Sequence, residues 1–424
     1  MKVEEKAIEV LKQPMCDSCL GRQFGNLLSG FSNEQRGKII RHYIAFLIDS
    51  GEKIDVDLSN LYDIKFRNVK IKPEKPKECR LCKNFFPEKI DDVAEKIVEK
   101  LKGIEFSTFQ IGSMVSNDLL KAEEELWSKT DIEFVESIKS EINRELGKRI
   151  ERLTKKRFDS KNPDVTVVVD LNTNKIRIEI RSLFVFGKYQ KLVRGIPQAK
   201  WICLKCGGKG CTRCKGVGKM YKTSVQEIIE KPLLKATKSK KSKLSASGRE
   251  DIDARCLGWR PFVIELIKPM KRKVDLKKIE KRINKLKKVK LRGLKFTGKD
   301  LILEIKTERM DKTYLATVDF KNQIEKSKLK ELKKLVKEPI MQKTPLRVVH
   351  RRADKFRKRY VRAISWKLLN KKRIQFKIRA ESGLYIKELI NGDEGRTEPN
   401  ISELIGNKVE KISLDVIKIH TKGV

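Results

Sequence analysis

Eight of the nine cysteines in this chain lie in Cys-x-x-Cys pairs, a spacing at which thiolates bind metal ions. Two of the pairs follow one another in CLKCGGKG and CTRCKGVG, each continuing as Cys-x-x-Cys-x-Gly-x-Gly. The glycines permit positive φ angles and let backbone N–H groups approach sulfur. Four thiolates at this spacing suit tetrahedral zinc, and because protein fills every position we predict a structural ion. The predicted ligands are Cys203, Cys206, Cys211 and Cys214.

A second structural zinc site is predicted from two pairs that are far apart in the chain. Its ligands would be Cys16, Cys19, Cys79 and Cys82, so the ion would gather distant segments. The alternative for both clusters is redox chemistry, but neither cluster is surrounded by a thioredoxin-like strand and helix. Cys256 stands alone.

A further candidate site lies in SASGREDIDARCLGWRPFVIELIKP, which concentrates charge, glycine and small residues before a buried strand-like run. Asp251 would lie near Arg249 or Arg255, which would orient its carboxylate for nucleophilic or base chemistry. From the charge pattern alone, a structural ion pair is the commoner explanation. Asp253 would share a strand face with Asp251, so the two acids compete for the assignment.

The first half of the chain predicts a small helical module and then a mixed domain. Residues 3–12 and 34–49 have helical patterns, and a Pro-rich stretch at 72–77 leads into the second cysteine pair. A helical pattern after Pro87, the strand-like FSTFQIG and a charged helical region at 118–155 follow. The strands VTVVVDL and IRIEIRSLFVFG flank a turn carrying Asn172 and Asn174, which indicates a hairpin. We therefore predict domains at 1–86 and 87–198.

The second half predicts a linker at 199–222 that carries the adjacent cysteine pairs, and a mixed-sheet domain at 223–424. Within it, the lysine-rich stretch from Lys235 to Lys243 lacks periodicity and is predicted to be a mobile loop. Apolar residues at helical spacing predict a helix between Val274 and Lys288, and LILEIK, YLATVDF and VIKIH predict strands. The helical stripe consists of Leu276, Ile279, Ile283 and Leu286. The fold class is α+β, with several domains.

Composition indicates a polyanionic partner. Lys and Arg number 99 against 57 Asp and Glu, a formal net charge of +42, and nucleic acid is the obvious ligand. Heat adaptation also enriches charged residues, but it does not produce so one-sided an excess. We find no apolar span or signal peptide, which predicts a soluble, cytoplasmic protein without membrane association. We also find no phosphate-binding or adenosylmethionine-type glycine loop, which predicts that there is no organic cofactor.

Two family resemblances give these patterns a function. The order of elements in 87–198, with the ending KYQKLVRGIPQ, resembles the THUMP domain of tRNA-modifying enzymes, which holds the acceptor end of tRNA. Gly248-Arg249-Glu250-Asp251 resembles the Gly-Arg-x-Asp motif of pseudouridine synthases. The full GREDIDARCLGWRPF is similar to the archaeal and eukaryotic family that acts on tRNA uridines 54 and 55. KTYLATV, QKTPLRVVHRRADKFRKR and SGLYIKELINGDEGRTEP follow in the order expected for that family.

The second resemblance implies the site residues. Asp251 is the catalytic aspartate because it completes the motif, and Tyr314 is the motif tyrosine, although alone it would be an ordinary strand aromatic. Trp259 departs from the family pattern and puts the local loop geometry in question. The uridine pocket would be lined by Tyr314, Tyr385, Ile386, Lys387 and Leu414, with Arg249 beside the aspartate.

The same resemblance implies tRNA as the partner, with no obligate protein partner. Asp251 would attack C1′, attack C6 or take part in a glycal route, and the extruded base would stack on Tyr314. His350, Arg351, Arg352 and the Lys235 to Lys243 stretch are candidates to grip the displaced backbone. One alternative is a non-catalytic tRNA-binding or RNA chaperone protein that keeps the THUMP and zinc modules. Another is a THUMP-bearing thiolase or methyltransferase, whose motifs we do not find.

Overall fold

The computed structural model describes residues 1–72, 74–350 and 353–421. The chain forms two compact units, Met1–Arg181 and Ser182–Val424. No helix among the described residues has both the length and the apolar character required to cross a membrane.

The first unit combines a helical module with a four-stranded sheet in the order β2-β1-β3-β4. One continuous apolar core runs through it. Its helices are α1 (Val3–Leu11), α2 (Asp17–Gly21), α3 (Asn33–Asp49), α4 (Ile90–Leu101), α5 (Asn117–Lys129) and α6 (Ile138–Thr154). Its strands are β1 (Thr108–Met114), β2 (Arg157–Phe158), β3 (Val165–Asp170) and β4 (Lys175–Ile180).

Most predicted elements of this unit are confirmed. The helices expected at 3–12 and 34–49 are α1 and α3, and the predicted hairpin is the antiparallel pair β3 and β4, in register from Val165 opposite Ile180. The helical region at 118–155 is divided into α5 and α6. Ser116 and Ser137 each accept a backbone N–H in the first turn, so each helix has its own amino-terminal cap.

The second unit is built on an eight-stranded mixed sheet in the order β12-β13-β9-β15-β7-β5-β8, with β6 paired to β7, and on a three-stranded sheet in the order β11-β10-β14. Its strands are β5 (Leu183–Lys191), β6 (Lys241–Ala246), β7 (Arg255–Ile267), β8 (Val289–Thr297), β9 (Lys312–Phe320), β10 (Ile340–Gln342), β11 (Arg357–Arg359), β12 (Val361–Asn370), β13 (Arg373–Ala380), β14 (Thr397–Glu398) and β15 (Val409–Ile419). Its helices are α7 (Val225–Thr237), α8 (Leu276–Asn284), α9 (Leu301–Thr307), α10 (Lys334–Lys337), α11 (Leu346–Val349), α12 (Ile386–Asn391) and α13 (Ile401–Ile405).

Four details of the second unit differ from expectation. β5 pairs with β7 and β8, so the compact units divide at Arg181 and not at the predicted boundary of 198. The Lys235 to Lys243 stretch is not a loop: α7 continues to Thr237 and β6 begins at Lys241, because alternating lysines face solvent along a strand paired to β7. LILEIK forms α9 instead of a strand and buries Ile305. Leu286 lies beyond the end of α8 and is exposed, whereas the other three residues of its stripe are buried.

The long strand β7 positions the loop at 247–254. Its first residues pair with two strands at once: Arg255 lies opposite Asp415 of β15, and Cys256 lies opposite both Val416 of β15 and Lys191 of β5. Pairing on both sides fixes the backbone at this point, since each neighbour contributes to the ladder. The 247–254 loop therefore ends at a strand whose backbone is held on both sides.

Candidate active site and metal centres

Asp251 lies in the 247–254 loop, at the wall of a cavity of about 570 Å³. Two cations hold its carboxylate: Arg347 Nη1 is 3.1 Å from Oδ1, and Lys387 Nζ is 3.4 Å from Oδ2. The side chain is 33% exposed, so the carboxylate remains accessible from the cavity. This arrangement presents an oriented carboxylate to a ligand.

Asp253 is placed differently from Asp251. The two acids do not share a strand face as predicted, because both precede β7 in a loop that turns at Ile252 and Asp253. The Asp253 side chain is 64% exposed and lies outside the lining of the cavity of about 570 Å³ that Asp251 borders, and Lys387 Nζ is 2.8 Å from its carboxylate. Partial burial opposes its ionisation, but the contact with Lys387 lowers the pKa of Asp253.

The cavity brings together most of the predicted substrate-binding residues. Tyr314 of β9 and Leu414 of β15 come from adjacent strands whose register places Val416 opposite Tyr314. Burial is the main cause that raises the pKa of Tyr314, to about 12, so its hydroxyl keeps its proton at neutral pH. The predicted residues that line the cavity are Arg249, Asp251, Tyr314, Tyr385, Ile386, Lys387 and Leu414.

The structure places none of the described residues that were predicted to bind the RNA backbone in the lining of this cavity. His350 is exposed and is not part of the described cavity lining. Arg351 and Arg352 lie outside the described residues. The segment instead contributes Arg347, whose Nε donates to Glu388 Oε1 at 2.6 Å while its guanidinium faces the ring of Tyr385 at 6.0 Å.

A buried network fixes the Gly-Arg-Glu-Asp turn from behind. Glu250 and Arg260 have fully buried side chains, and Arg260 Nε lies 3.0 Å from Glu250 Oε2. The hydroxyl of Tyr189 donates to Glu250 at 3.2 Å, and Gln198 Nε2 donates to the Gly248 carbonyl oxygen at 2.9 Å. Because Glu250, Arg260 and Tyr189 are all buried, they set the direction in which the turn leaves the sheet.

Arg255, the other predicted partner of Asp251, binds a different acid. Its Nη2 lies 2.7 Å from Oδ2 of Asp415, and its backbone N–H donates to Oδ1 of the same residue at 3.0 Å. This pair joins β7 to β15 and orders the start of β7. Trp259 lies within β7 between Cys256 and Arg260, where the pairing of β7 with β5 shifts register, and its ring faces the guanidinium of Arg292 at 4.2 Å.

The cysteines of the second unit form one cluster, as predicted. The sulfur atoms of all four lie within 4.8 Å of one another. Zinc–sulfur bonds of about 2.3 Å place sulfur atoms roughly 3.8 Å apart in a regular tetrahedron. The Cys203–Cys211 and Cys206–Cys214 Sγ distances are both 3.8 Å. The residues therefore fit a tetrahedral metal ion.

The glycines of this cluster have the predicted role. Gly210 and Gly218 have φ angles of +100° and +74°, and their N–H groups donate to Cys206 Sγ and Cys214 Sγ at 3.2 Å. A Cβ at Gly218 would lie 2.2 Å from the Gly208 carbonyl oxygen. Only glycine fits where the two turns approach so closely.

The cysteines of the first unit also cluster with the predicted pairing. All four sulfur atoms lie within 4.8 Å of one another, and Cys16 Sγ is 3.5 Å from Cys82 Sγ. Cys19, Cys79 and Cys82 are buried. Thiolates are the donors that zinc prefers in closed four-coordinate sites, so this cluster fits a structural ion as well.

Comparison with protein families decides the assignment. The model described as "Pus10, C-terminal" matches residues 184–420, and the one described as "Pus10 THUMP domain, archaeal" matches residues 93–170. The chain belongs to the Pus10 family of pseudouridine synthases. This confirms both resemblances seen in the sequence and leaves no basis for the thiolase or methyltransferase alternative.

Curated relatives that are named tRNA pseudouridine synthase Pus10 match most or nearly all of this chain. The protein of Methanothrix thermoacetophila is 38% identical over 97% of this chain and 93% of its own. That of Methanopyrus kandleri is 41% identical over 96% of each chain, and that of Archaeoglobus fulgidus is 43% identical over 81% of this chain and 95% of its own. A chain from the structure titled "Crystal Structure of a Cbf5-Nop10-Gar1 Complex" covers 54% of this chain and 47% of its own at 14% identity, with a TM-score of 0.29 that supports no comparison of sites.

Sequence reasoning missed three residues of this Pus10 site, namely Arg347, Glu250 and Arg260. Arg347 lies three residues before the His-Arg-Arg run in which a backbone grip was expected. Its isolation in TPLRVV gives no charge pattern, and only the fold brings α11 to the Asp251 loop. A buried Glu–Arg pair also leaves no sequence signal, since both residue types are usually on the surface.

Proposed function

We propose that this chain isomerises uridine 54, uridine 55 or both in the T loop of tRNA, with Asp251 as the catalytic residue. Membership of the Pus10 family supports the reaction class. One observation carries the choice of residue: of the acids in this loop, Asp251 lines the cavity that contains Tyr314 with an accessible carboxylate, which Arg347 and Lys387 hold, whereas Glu250 is fully buried against Arg260 and Asp253 lies outside the cavity lining.

The reaction breaks the bond between C1′ and N1 of uridine, turns the uracil and joins C1′ to C5, with no net oxidation or reduction. An oriented carboxylate acts as nucleophile at C1′ or C6, or as base in a glycal route. Each route uses Asp251 at the same position, and none requires an organic cofactor.

The cavity suits a uridine extruded from its stack. Tyr314 offers an aromatic face for the base, and Ile386 and Leu414 offer apolar walls. Extrusion costs a few kcal/mol of unstacking, which contacts with the pocket offset. Tyr385 and Arg249 complete the proposed substrate contacts.

Capture of tRNA rests on charge and on the THUMP domain. The net charge of +42 favours a polyanion, and the region matched by the archaeal THUMP model would hold the acceptor end. His350, Arg351 and Arg352 are proposed to contact the backbone near the T loop. Both cysteine clusters would bind zinc, which would stabilise the folds around them, since four thiolates leave no position for a catalytic water. We expect the protein to act in the cytoplasm.

Tritium release from C5-labelled uridine tests this function, because the C5 hydrogen leaves when C1′ joins C5. Unmodified tRNA transcripts would carry the natural sequence, cytidine at position 54, or cytidine at position 55. Release that disappears only with a given replacement identifies the target. No release from the natural transcript, despite tight binding of it, would instead support a non-catalytic tRNA-binding protein.

A further inference from the structure

The cavity contains more cations than its acids neutralise. Arg260 pairs with Glu250, and Arg347 and Lys387 pair with Asp251 and its neighbours. Three further cations of the lining, Lys312, Arg357 and Arg359, form no ion pair with any described residue. A neutral uridine does not require three such charges.

Strand geometry points these three cations into the same space. Arg357 and Arg359 are alternate residues of β11, so they project from one face while Lys358 between them is exposed. Lys312 begins β9 two residues before Tyr314 and shares its face. Lys312 is 7% exposed, so its ammonium is held inside the wall of the cavity.

Lys312 and Arg359 converge on Ser382 and Gly383. Lys312 Nζ lies 3.4 Å from Ser382 Oγ, and a Cβ built on Gly383 would lie 3.1 Å from Arg359 Nε. Gly383 has a φ of +92° and no side chain, which keeps the space beside the guanidinium open. Lys312 and Arg359 thus border an open space beside Gly383, and an alanine at position 383 would narrow it.

The donors at this open space are incompletely satisfied. Arg359 Nε is buried and has no hydrogen-bond partner among the described residues, although Nη1 donates to the Lys358 carbonyl oxygen at 2.8 Å. Arg357 uses Nη1 for Thr344 Oγ1 at 2.9 Å, and no hydrogen bond from its Nη2 is found in the described part of the chain. Leaving a charged donor buried without a partner costs free energy, which a bound anion would recover.

We propose that Lys312, Arg357 and Arg359 form a subsite for one phosphodiester of the RNA strand, next to the extruded uridine. The guanidinium fork matches two phosphate oxygens, and the lysine adds a point charge from the floor of the site. The subsite would anchor the strand on the side of the extruded nucleotide while Asp251 reaches the base. The inference rests on the proposed function, because it takes RNA as the ligand of the cavity.

A chemical double-mutant cycle tests the subsite. Full-length protein and its Arg359→Gln variant would bind tRNA assembled with a neutral methylphosphonate at one linkage, either 5′ or 3′ of the target uridine. Lys358→Gln is the matched control, since it removes the same charge from the adjacent residue on the opposite face. Thermal unfolding of each variant checks that the fold is kept, and Arg357→Gln repeats the test at the other arginine of β11.

At one of the two linkages, the methylphosphonate should weaken wild-type binding roughly tenfold to a hundredfold and Arg359→Gln should then add no further loss. Lys358→Gln should show no such coupling. Multiplicative losses at both linkages, for both arginine variants, would overturn the subsite. If coupling is found but no tritium is released, the subsite stands and the proposed isomerisation fails. If tritium is released but no coupling is found, the proposed isomerisation stands and the subsite fails.

Discussion

Lys191 Nζ donates a hydrogen bond to the main-chain carbonyl oxygen of Asp251 at 3.0 Å. It also donates to the carbonyl oxygens of Ile252 at 3.1 Å and Ile196 at 2.8 Å, which satisfies all three ammonium protons. Lys191 is fully buried, and desolvation lowers its pKa even though nearby acids oppose the shift. A buried ammonium on β5 therefore fixes the backbone of the loop that carries the proposed catalytic residue.

Replacing Lys191 with methionine should slow isomerisation more than it weakens tRNA binding. The variant leaves three carbonyl oxygens without their donor, and a shift of about 1 Å in the catalytic group costs roughly a hundredfold in rate. Single-turnover tritium release gives the rate, and filter binding gives the affinity. Lys191→Arg, which keeps the charge, should recover part of the rate. Equal loss of rate and affinity would mean that Lys191 supports the fold as a whole.

Removal of one partner from the Glu250–Arg260 pair should destabilise the protein. Arg260→Met leaves a buried, unpaired carboxylate, and such changes cost about 3–5 kcal/mol. Arg373→Met breaks the exposed pair with Asp319 and should cost less than about 1 kcal/mol. Urea unfolding of the two variants measures both values. Similar costs would show that the buried network does not anchor the turn.

The two cysteine clusters should each bind one zinc ion. Cys206→Ser and Cys19→Ser should each lower the measured zinc content by one ion per chain, since a closed site loses most of its affinity with one thiolate. Atomic absorption after gel filtration counts the ions. Chelation should lower the melting temperature of the wild-type protein and change that of a cluster variant less. Unchanged zinc content in either variant would exclude that cluster as a site.

Lys312 should make RNA affinity depend on pH. Desolvation, assisted by Arg260 and opposed by Cys256 and Asp311, lowers the pKa of Lys312 to about 8. The proposed phosphate contact requires the protonated form, so this part of the affinity is complete below that pH and is lost as the pH rises through it. Between pH 7 and 9 the loss should approach about tenfold.

The control for this pH effect is Lys312→Gln, which cannot titrate at this position. It should bind more weakly at pH 7 and lose less affinity between pH 7 and 9 than the wild-type protein. The dissociation constant measured at fixed salt separates the two curves. Identical pH profiles would show that Lys312 does not contact the RNA.

Local chemistry explains why parts of this structure were predictable from sequence. Cysteine spacing and neighbouring glycines specify a metal knuckle because ligand geometry and backbone angles act over a few residues. The β3 and β4 hairpin follows from alternation around a turn for the same reason. The prediction of a strand for LILEIK was wrong because a segment of six apolar and charged residues is compatible with both the helical and the strand period. The burial of Ile305 favours the helix.

The unpredicted part of the site depends on contacts between distant segments. Arg347 reaches Asp251 across 96 positions of sequence, and Lys191 binds carbonyl oxygens that carry no side-chain identity. Neither contact has a local pattern. The motif identified the acid, whereas the residues that hold it emerged only from the fold.

Asp251→Asn and Asp253→Asn, compared in single-turnover tritium release with tRNA binding measured in parallel, test the central assignment most directly. The two changes remove the same charge two residues apart and preserve side-chain size. We predict that Asp251→Asn lowers the rate by a factor of roughly 10⁴ with affinity retained, and that Asp253→Asn changes the rate by less than about tenfold. Turnover retained by Asp251→Asn, or abolished by Asp253→Asn, would contradict the assignment of Asp251 as the catalytic residue.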